Sequence, residues 1–196
     1  MLAFQSEKCY YSVARNGNII EIGVATMKRF DYLNRAIKFA NVLVVLFNNC
    51  SCLNDFEQAI ERYNSTHSRK LRYAHGVSRL AVIHSDYVIK FDMAPEDGWE
   101  DGRAGDNRTE EMAYKQAVID GMQHLLAETT LVTIKGRAVT IMPKIDHVDD
   151  YDRNWWEYCT KEEENWLNYN ICDLHEGNVG YRNGKVCVID YAWNYV

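Results

Sequence analysis

A chain of 196 residues, 47% of them apolar or aromatic, is long enough for one domain with a real core and too apolar for intrinsic disorder. Its net charge of −6 argues against nucleic acid as the main partner, because phosphate-backbone binding needs a Lys/Arg surface. The longest apolar stretch, ANVLVVLF at 40–47, falls far short of a membrane span, so no membrane partner is expected.

The opening MLAFQSEKCYY lacks the basic flank and apolar run of a signal peptide. A cytoplasmic, reducing location follows, with free thiols. Six cysteines include the pair Cys50 and Cys52, but no spacing matches a zinc site. Cys172 and Cys187 sit in apolar contexts and read as small core residues.

In chain order, 9–25 holds two apolar runs around Arg15-Asn16-Gly17-Asn18 and predicts a hairpin. Asp31 is placed to cap a helix that begins DYLNRAIKFA, and 40–47 reads as a buried strand or helix segment. Asn54 or Asp55 opens a second helix, with Phe56, Ala59, Ile60 and Tyr63 at helical spacing. The polar stretch at 65–70 divides an N-terminal extension, 1–69, from a second domain, 70–196.

From 70 to 92 the pattern is strand, glycine turn, strand, Ser-Asp turn, strand. A Gly/Asp-rich loop fills 94–108. A helix follows at 109–128, capped by Thr109, with Tyr114, Val118, Met122 and Leu125 as its apolar stripe. Two strands around Lys135-Gly136-Arg137 occupy 131–145. A helix at 154–169 carries Trp155, Trp156 and Trp166 as core or a contact patch, and the acids of 146–164 form a solvated face. Residues 171–191 then read as a polar loop, a strand, the turn Arg182-Asn183-Gly184-Lys185, and a strand ending at Asp190.

This order carries chemistry. Gly76 and Ser78 lie in a turn, where glycine lets backbone N–H groups approach a phosphate and serine adds a hydroxyl. Lys90 ends an apolar strand, Glu110 and Glu111 lie near the start of a helix, and Asp173, Asn178 and Asp190 close the chain. Phosphoryl transfer from ATP uses such a set: a Lys at the phosphates, a Glu holding it, an Asp at the acceptor hydroxyl, and Asn and Asp on magnesium. The bland readings stand beside these. Asp and Asn start turns, Glu favours helix N-termini, Lys90 suits a strand end, and Gly76 suits a hairpin.

The series of glycine loop, V-I-K, helix Glu, D-x-x-x-x-N and I-D resembles the protein-kinase-like superfamily. DLHEGNVGYRNGKVCVIDYA is similar to the D-L-H-x-G-N…V-I-D segment of aminoglycoside and choline kinase relatives. The span 70–192 also resembles small phage-encoded protein kinases. The resemblance implies an α+β, minimal kinase-like fold with a β-rich N-lobe and a truncated C-lobe, preceded by an α/β extension. It implies ATP and magnesium as cofactors. Asp173 would be the catalytic base, Asn178 and Asp190 the metal ligands, and Lys90 the phosphate lysine. Glu110 or Glu111 would pair with Lys90. Met142-Pro143-Lys144 would be the hinge at adenine, and His175 would stand near the transferred phosphate.

Departures are plain. One glycine stands where three are usual, Ile171-Cys172 precedes the catalytic Asp, and no activation segment follows Asp190 before Val196. The complete set of Lys90, Asp173, Asn178 and Asp190 nevertheless favours an ATP- and magnesium-dependent kinase, expected to be a phage Ser/Thr protein kinase acting on host proteins or on itself. The alternatives are a kinase-like binding protein that contacts a host factor, and a small-molecule kinase.

Overall fold

The computed structural model describes residues 24–93, 106–147, 154–171, 173–182 and 185–191. The fold is mixed α+β, and its contacts cluster into two compact units, Met1–Arg35 and Ala36–Val196. The expected hairpin at 9–25 lies almost wholly outside the described residues, as do the loop 94–105 and the turn residues Asn183 and Gly184. No described helix is long and apolar enough to cross a membrane.

Helix α1 runs Val24–Leu46 without a break. Asp31 therefore lies within it rather than capping it; no Gly or Pro interrupts the run, and an exposed Asp costs a helix little. Helix α2 spans Leu53–Thr66, with Cys52 rather than Asn54 or Asp55 at its N-cap. Asp55 serves that end from the third helical position. Its Oδ2 accepts from Ser51 N at 3.0 Å and Cys52 N at 3.4 Å, two donors the helix leaves unpaired.

Strands β1 (Arg72–His75), β2 (Arg79–Ile83) and β3 (Tyr87–Asp92) follow as the sequence predicts. They join β4 (Thr130–Ile134) and β5 (Arg137–Pro143) in an antiparallel sheet ordered β1-β2-β3-β5-β4. Lys135 and Gly136, with φ of 50° and 82°, make the two-residue turn between β4 and β5, the twist that tight hairpins favour.

Register sorts this sheet into two faces, because residues opposite one another in a ladder point the same way. Leu80, Phe91 and Val139 align on one face, as do Val82, Ile89 and Ile141. That face packs on the second half of α1 and on α2. Phe91 meets Phe47 edge-on at 5.1 Å and Phe56 at 6.1 Å between ring centroids. Arg137 ties the layer down by donating to Phe47 O (2.7 Å) and Cys50 O (3.1 Å), with its guanidinium 4.9 Å from the Phe56 ring centre. Residues 36–69 thus pack as a layer of the same unit as the sheet; the contacts do not divide at 69/70.

The opposite face carries Arg79 across from Asp92, and Ala81 and Thr140 flanking Lys90. Helix α3 (Asp106–Asp120) covers it. α3 begins three residues before the Thr109 cap that the sequence suggests and ends earlier, at Gly121. There φ is +77°, Met122 N returns to Ala117 O (2.8 Å) and Gly121 N to Val118 O (3.4 Å), a glycine stop. The predicted stripe holds in part: Leu125 is buried and Tyr114 and Met122 pack against the core, whereas Val118 does not. The buried residues are Asp106, Asn107, Glu110, Ala113 and Ala117, while Val118 is half exposed. Small residues let α3 approach the sheet closely, and the polar groups at its N-terminus decide which face turns inward.

The remaining chain forms a second sheet, β6-β7-β8, from Asp146–His147, Val179–Arg182 and Lys185–Val188. A single helix at 154–169 is not found. A 3₁₀ turn at Trp155–Tyr158 precedes α4 (Lys161–Asn170), which Thr160 caps with Glu163 reaching back to its N–H (2.7 Å). The tryptophans differ in burial: Trp155 lies in the core with the exposed Trp156 edge-on at 5.8 Å, and Trp166 on α4 packs against the same core and donates to Asp120 Oδ2 at 2.9 Å.

Candidate functional site

Strand β3 delivers Lys90 from an apolar run to the α3 side of the sheet, where it is 5% exposed. Its Nζ donates to Glu110 Oε1 at 2.7 Å and to Ile189 O at 2.8 Å, and lies 3.6 Å from Asp190 Oδ1. Helix phase settles the partner: Glu110 shares the buried face with Ala113 and Ala117, three and seven residues on. Glu111 points away and pairs with Lys115 at 3.0 Å on the surface.

Sequence reasoning missed a fourth charge. Arg79, 6% exposed, places Nη1 3.0 Å from Glu110 Oε2 and donates through Nη2 to Asp190 Oδ1. Two cations and two anions therefore meet in one buried cluster, with Asp190, 43% exposed, at its open edge. Burial, and then the neighbouring guanidinium, depress the Lys90 ammonium to about 8; Glu110 acts in the opposite direction. Burial pushes Glu110 up, but Arg79 and Lys90 outweigh it and hold that carboxyl below its usual value.

The loop before β7 supplies the other half. Asn178 Nδ2 donates to Asp173 O (2.9 Å) and to Asp173 Oδ2 (3.3 Å), fixing one side chain by the other. His175 Nδ1 accepts from Gly177 N at 3.0 Å, so a neutral ring carries its proton on Nε2, which lies 3.7 Å from Asp173 Oδ1. A Cβ at position 177 would stand 2.7 Å from His175 Cε1 and would push the imidazole aside. Asp173 and His175 both face solvent, 59% and 51% exposed.

Hydrogen bonds join the two halves. Asn178 O accepts from Ile189 N (2.8 Å), and Ile189 O accepts from Lys90 Nζ (2.8 Å). The path Asp173, Asn178, Ile189, Lys90, Glu110 is thus continuous, and the residues that the sequence spread over a hundred positions share one region. Behind Asp190, Tyr191 is fully buried, and its hydroxyl bonds to Thr129 Oγ1 and Ala127 O. Its backbone N–H also faces Glu110.

Three expected residues serve other contacts. Gly76 N closes the β1–β2 turn on Arg79 O (3.0 Å), so this N–H is already spent. Ser78 Oγ donates to Asp106 Oδ2. Met142 is 2% exposed and its side chain packs into the core with Leu125 and Val186.

The same α3 end explains an unusual acid. Asp92 Oδ1 accepts from Asn107 N (3.0 Å), and burial lifts its carboxyl to about 6. A folded-state pKa above the unfolded value favours the protonated form. The stability it contributes is complete below pH ~4 and lost as pH rises through about 6. Asp92→Asn keeps an acceptor for Asn107 and should flatten this slope, raising stability at pH 7.5 by about 1–2 kcal/mol after solvent screening. Urea unfolding of both proteins at pH 4.5 and 7.5 measures it; equal stability at both pH values would contradict the assignment.

Oxygen donors suit magnesium, which takes one or two carboxylates and keeps waters. Asp190 offers its second oxygen, and Asn178 spends its amide N–H on Asp173 and leaves Oδ1 as an acceptor. The donor set fits such an ion together with phosphate oxygens. Among the described residues no group of three or more His, Cys, Asp or Glu forms a protein-only metal cage.

No family model and no curated protein matches this chain. Among solved structures it is similar to the bifunctional kinase-methyltransferase WbdD, with TM-score 0.40, 15% identity, and coverage of 59% of this chain and 29% of that one. A co-crystal structure of WbdD with the kinase inhibitor LY294002 gives TM-score 0.44, 13% identity, and coverage of 63% and 32%. The chain spans about a third of the length of these proteins.

Proposed function

We propose that this chain is an ATP- and magnesium-dependent phosphotransferase. The observation that carries the reading is the convergence of Lys90, Glu110 and Asp190 with the Asp173–Asn178 pair through continuous hydrogen bonds. The motif order read from the sequence points the same way.

In this reading Glu110 holds the Lys90 ammonium where phosphate oxygens enter, so the charge needed in the transition state is aligned before the substrate binds. Asp173 accepts the proton of the acceptor hydroxyl, and Asn178 fixes its carboxylate for that transfer. Asn178 and Asp190 would hold the magnesium ion, which when bound neutralises charge on the phosphate oxygens. Tyr191 and the Lys90 bond to Ile189 O keep Asp190 in register with both. The acceptor proposed is a Ser or Thr hydroxyl of a protein, supported by the resemblance to small phage-encoded protein kinases; host proteins and the chain itself are the candidates. The division into a β-rich lobe and a reduced second lobe belongs to the same proposal.

A second reading, a nucleotide-regulated or inert binding protein, draws on one specific observation: Arg79 already covers Asp190 Oδ1. One experiment separates them. Purified protein with labelled ATP and magnesium should label itself or a protein in a bacterial lysate. ATP at a hundred times its dissociation constant should also add about 2.7 kcal/mol of stability. Stabilisation without label supports the binding protein, and neither response ends the phosphotransferase.

A further inference from the structure

We propose that Arg79 is a second phosphate-binding residue of this site, and that it occupies Asp190 until a polyphosphate arrives with its metal. The inference rests on the phosphotransferase reading and deepens it by naming a ligand-gated exchange.

Charge is the first argument. Glu110 alone would be neutralised by Lys90, 2.7 Å away. Arg79 adds a second buried cation, which faces Glu110 through Nη1, Asp190 through Nη2 and Asp92 across the strand pair. The Asp190 charge is thus already shared with Arg79 and Lys90, so a divalent ion alone gains less by binding it. It would compete with a nearly buried guanidinium for the charge of that carboxylate, and weakening such a pair is unfavourable. A nucleotide changes the balance, because its phosphate oxygens arrive with the metal and give Arg79 a new anion as Asp190 turns to the ion.

Geometry is the second. Register places Arg79 across from Asp92 and two pairs along from the Ala81–Lys90 pair, hence on the same face of the sheet. The alanine opposite Lys90 leaves the room that the two long side chains need. Arg79 directly follows the β1–β2 turn, and the Gly76 N–H in that turn is spent on Arg79 O. Here a guanidinium fork does what backbone amides do in glycine-rich loops, and its planar donors match phosphate oxygens. The ligand class is the polyphosphate end of a nucleoside triphosphate.

The test measures binding rather than turnover. Mn²⁺ alone, and a non-hydrolysable ATP analogue with EDTA or with Mn²⁺, are titrated calorimetrically into wild type, Arg79→Met and Arg79→Gln. The glutamine variant keeps a polar side chain without the charge and decides the matter if the methionine variant does not fold. Expected are Mn²⁺-alone binding at least ten-fold tighter in the variants, and metal-free analogue binding at least ten-fold weaker. Unchanged Mn²⁺-alone binding, or unchanged metal-free analogue binding, overturns the role of Arg79. In that case, tight binding of the analogue with Mn²⁺ to wild type leaves the phosphotransferase reading standing. Wild type that binds no analogue even with Mn²⁺ removes both.

Discussion

Phosphate transfer from ATP should fall by about 10²–10⁴-fold in Asp173→Asn, the range for loss of a general base, with ATP affinity nearly unchanged. Asp173 lies on the loop before β7, and its carboxylate touches Asn178 and approaches His175 rather than the Lys90 cluster. It therefore bears on the acceptor and not on the nucleotide, and the loss should appear in kcat. Asparagine preserves an oxygen for the Asn178 amide, so the loop keeps its shape while the proton acceptor disappears. Single-turnover labelling at saturating ATP checks this. Full labelling by the variant would show that the acceptor hydroxyl loses its proton elsewhere.

Loss of stability should be greatest at Glu110. Glu110→Ala removes the carboxylate that faces both buried cations, Lys90 and Arg79, and leaves Asp190 at the open edge as the remaining ion-pair partner among the described residues. Breaking a buried pair by removing one partner costs about 3–5 kcal/mol, a large share of the ~5–15 kcal/mol that holds a domain together. The pH dependence follows from the sign of the Lys90 shift. Its folded value, about 8, already lies below the ordinary 10.5, and Glu110 is the group that raises it. Without Glu110 the lysine loses its proton more readily. A depressed lysine penalises the fold while it must be charged, and the penalty is relieved as pH rises through its folded value. The deficit should therefore be larger at pH 7 than at pH 9 in urea unfolding. A variant within 1 kcal/mol of wild type at pH 7 would mean that the cluster carries little of the fold's stability.

The sequence made some of this legible because spacing alone implies contact. Asp173, Asn178 and Asp190 bracket a hairpin, and a hairpin brings its ends together. Lys90 was visible as a charge ending an apolar strand. Arg79 was not, because its neighbours depend on a register that no local pattern specifies, and an arginine at the start of an exposed-looking turn reads as surface. Helix α3 was misread for a related reason. Hydrophobic periodicity assumes that apolar residues face inward, whereas this helix turns a carboxylate and two alanines to the sheet and leaves Met112, Val118 and Ile119 toward solvent. Glu110 and Glu111 could be told apart only by knowing that phase. Met142, placed at the adenine hinge by the resemblance, has its side chain in the core, which leaves only its backbone for such a contact.

Tyr191 acts as a peg driven in directly behind Asp190. To withdraw that carboxylate by swinging the segment outward, the molecule would have to extract an aromatic ring, abandon two interior hydroxyl contacts and open a void large enough to be costly. Displacing Asp190 by moving its backbone therefore carries the cost of unseating that ring, whereas turning its side chain does not.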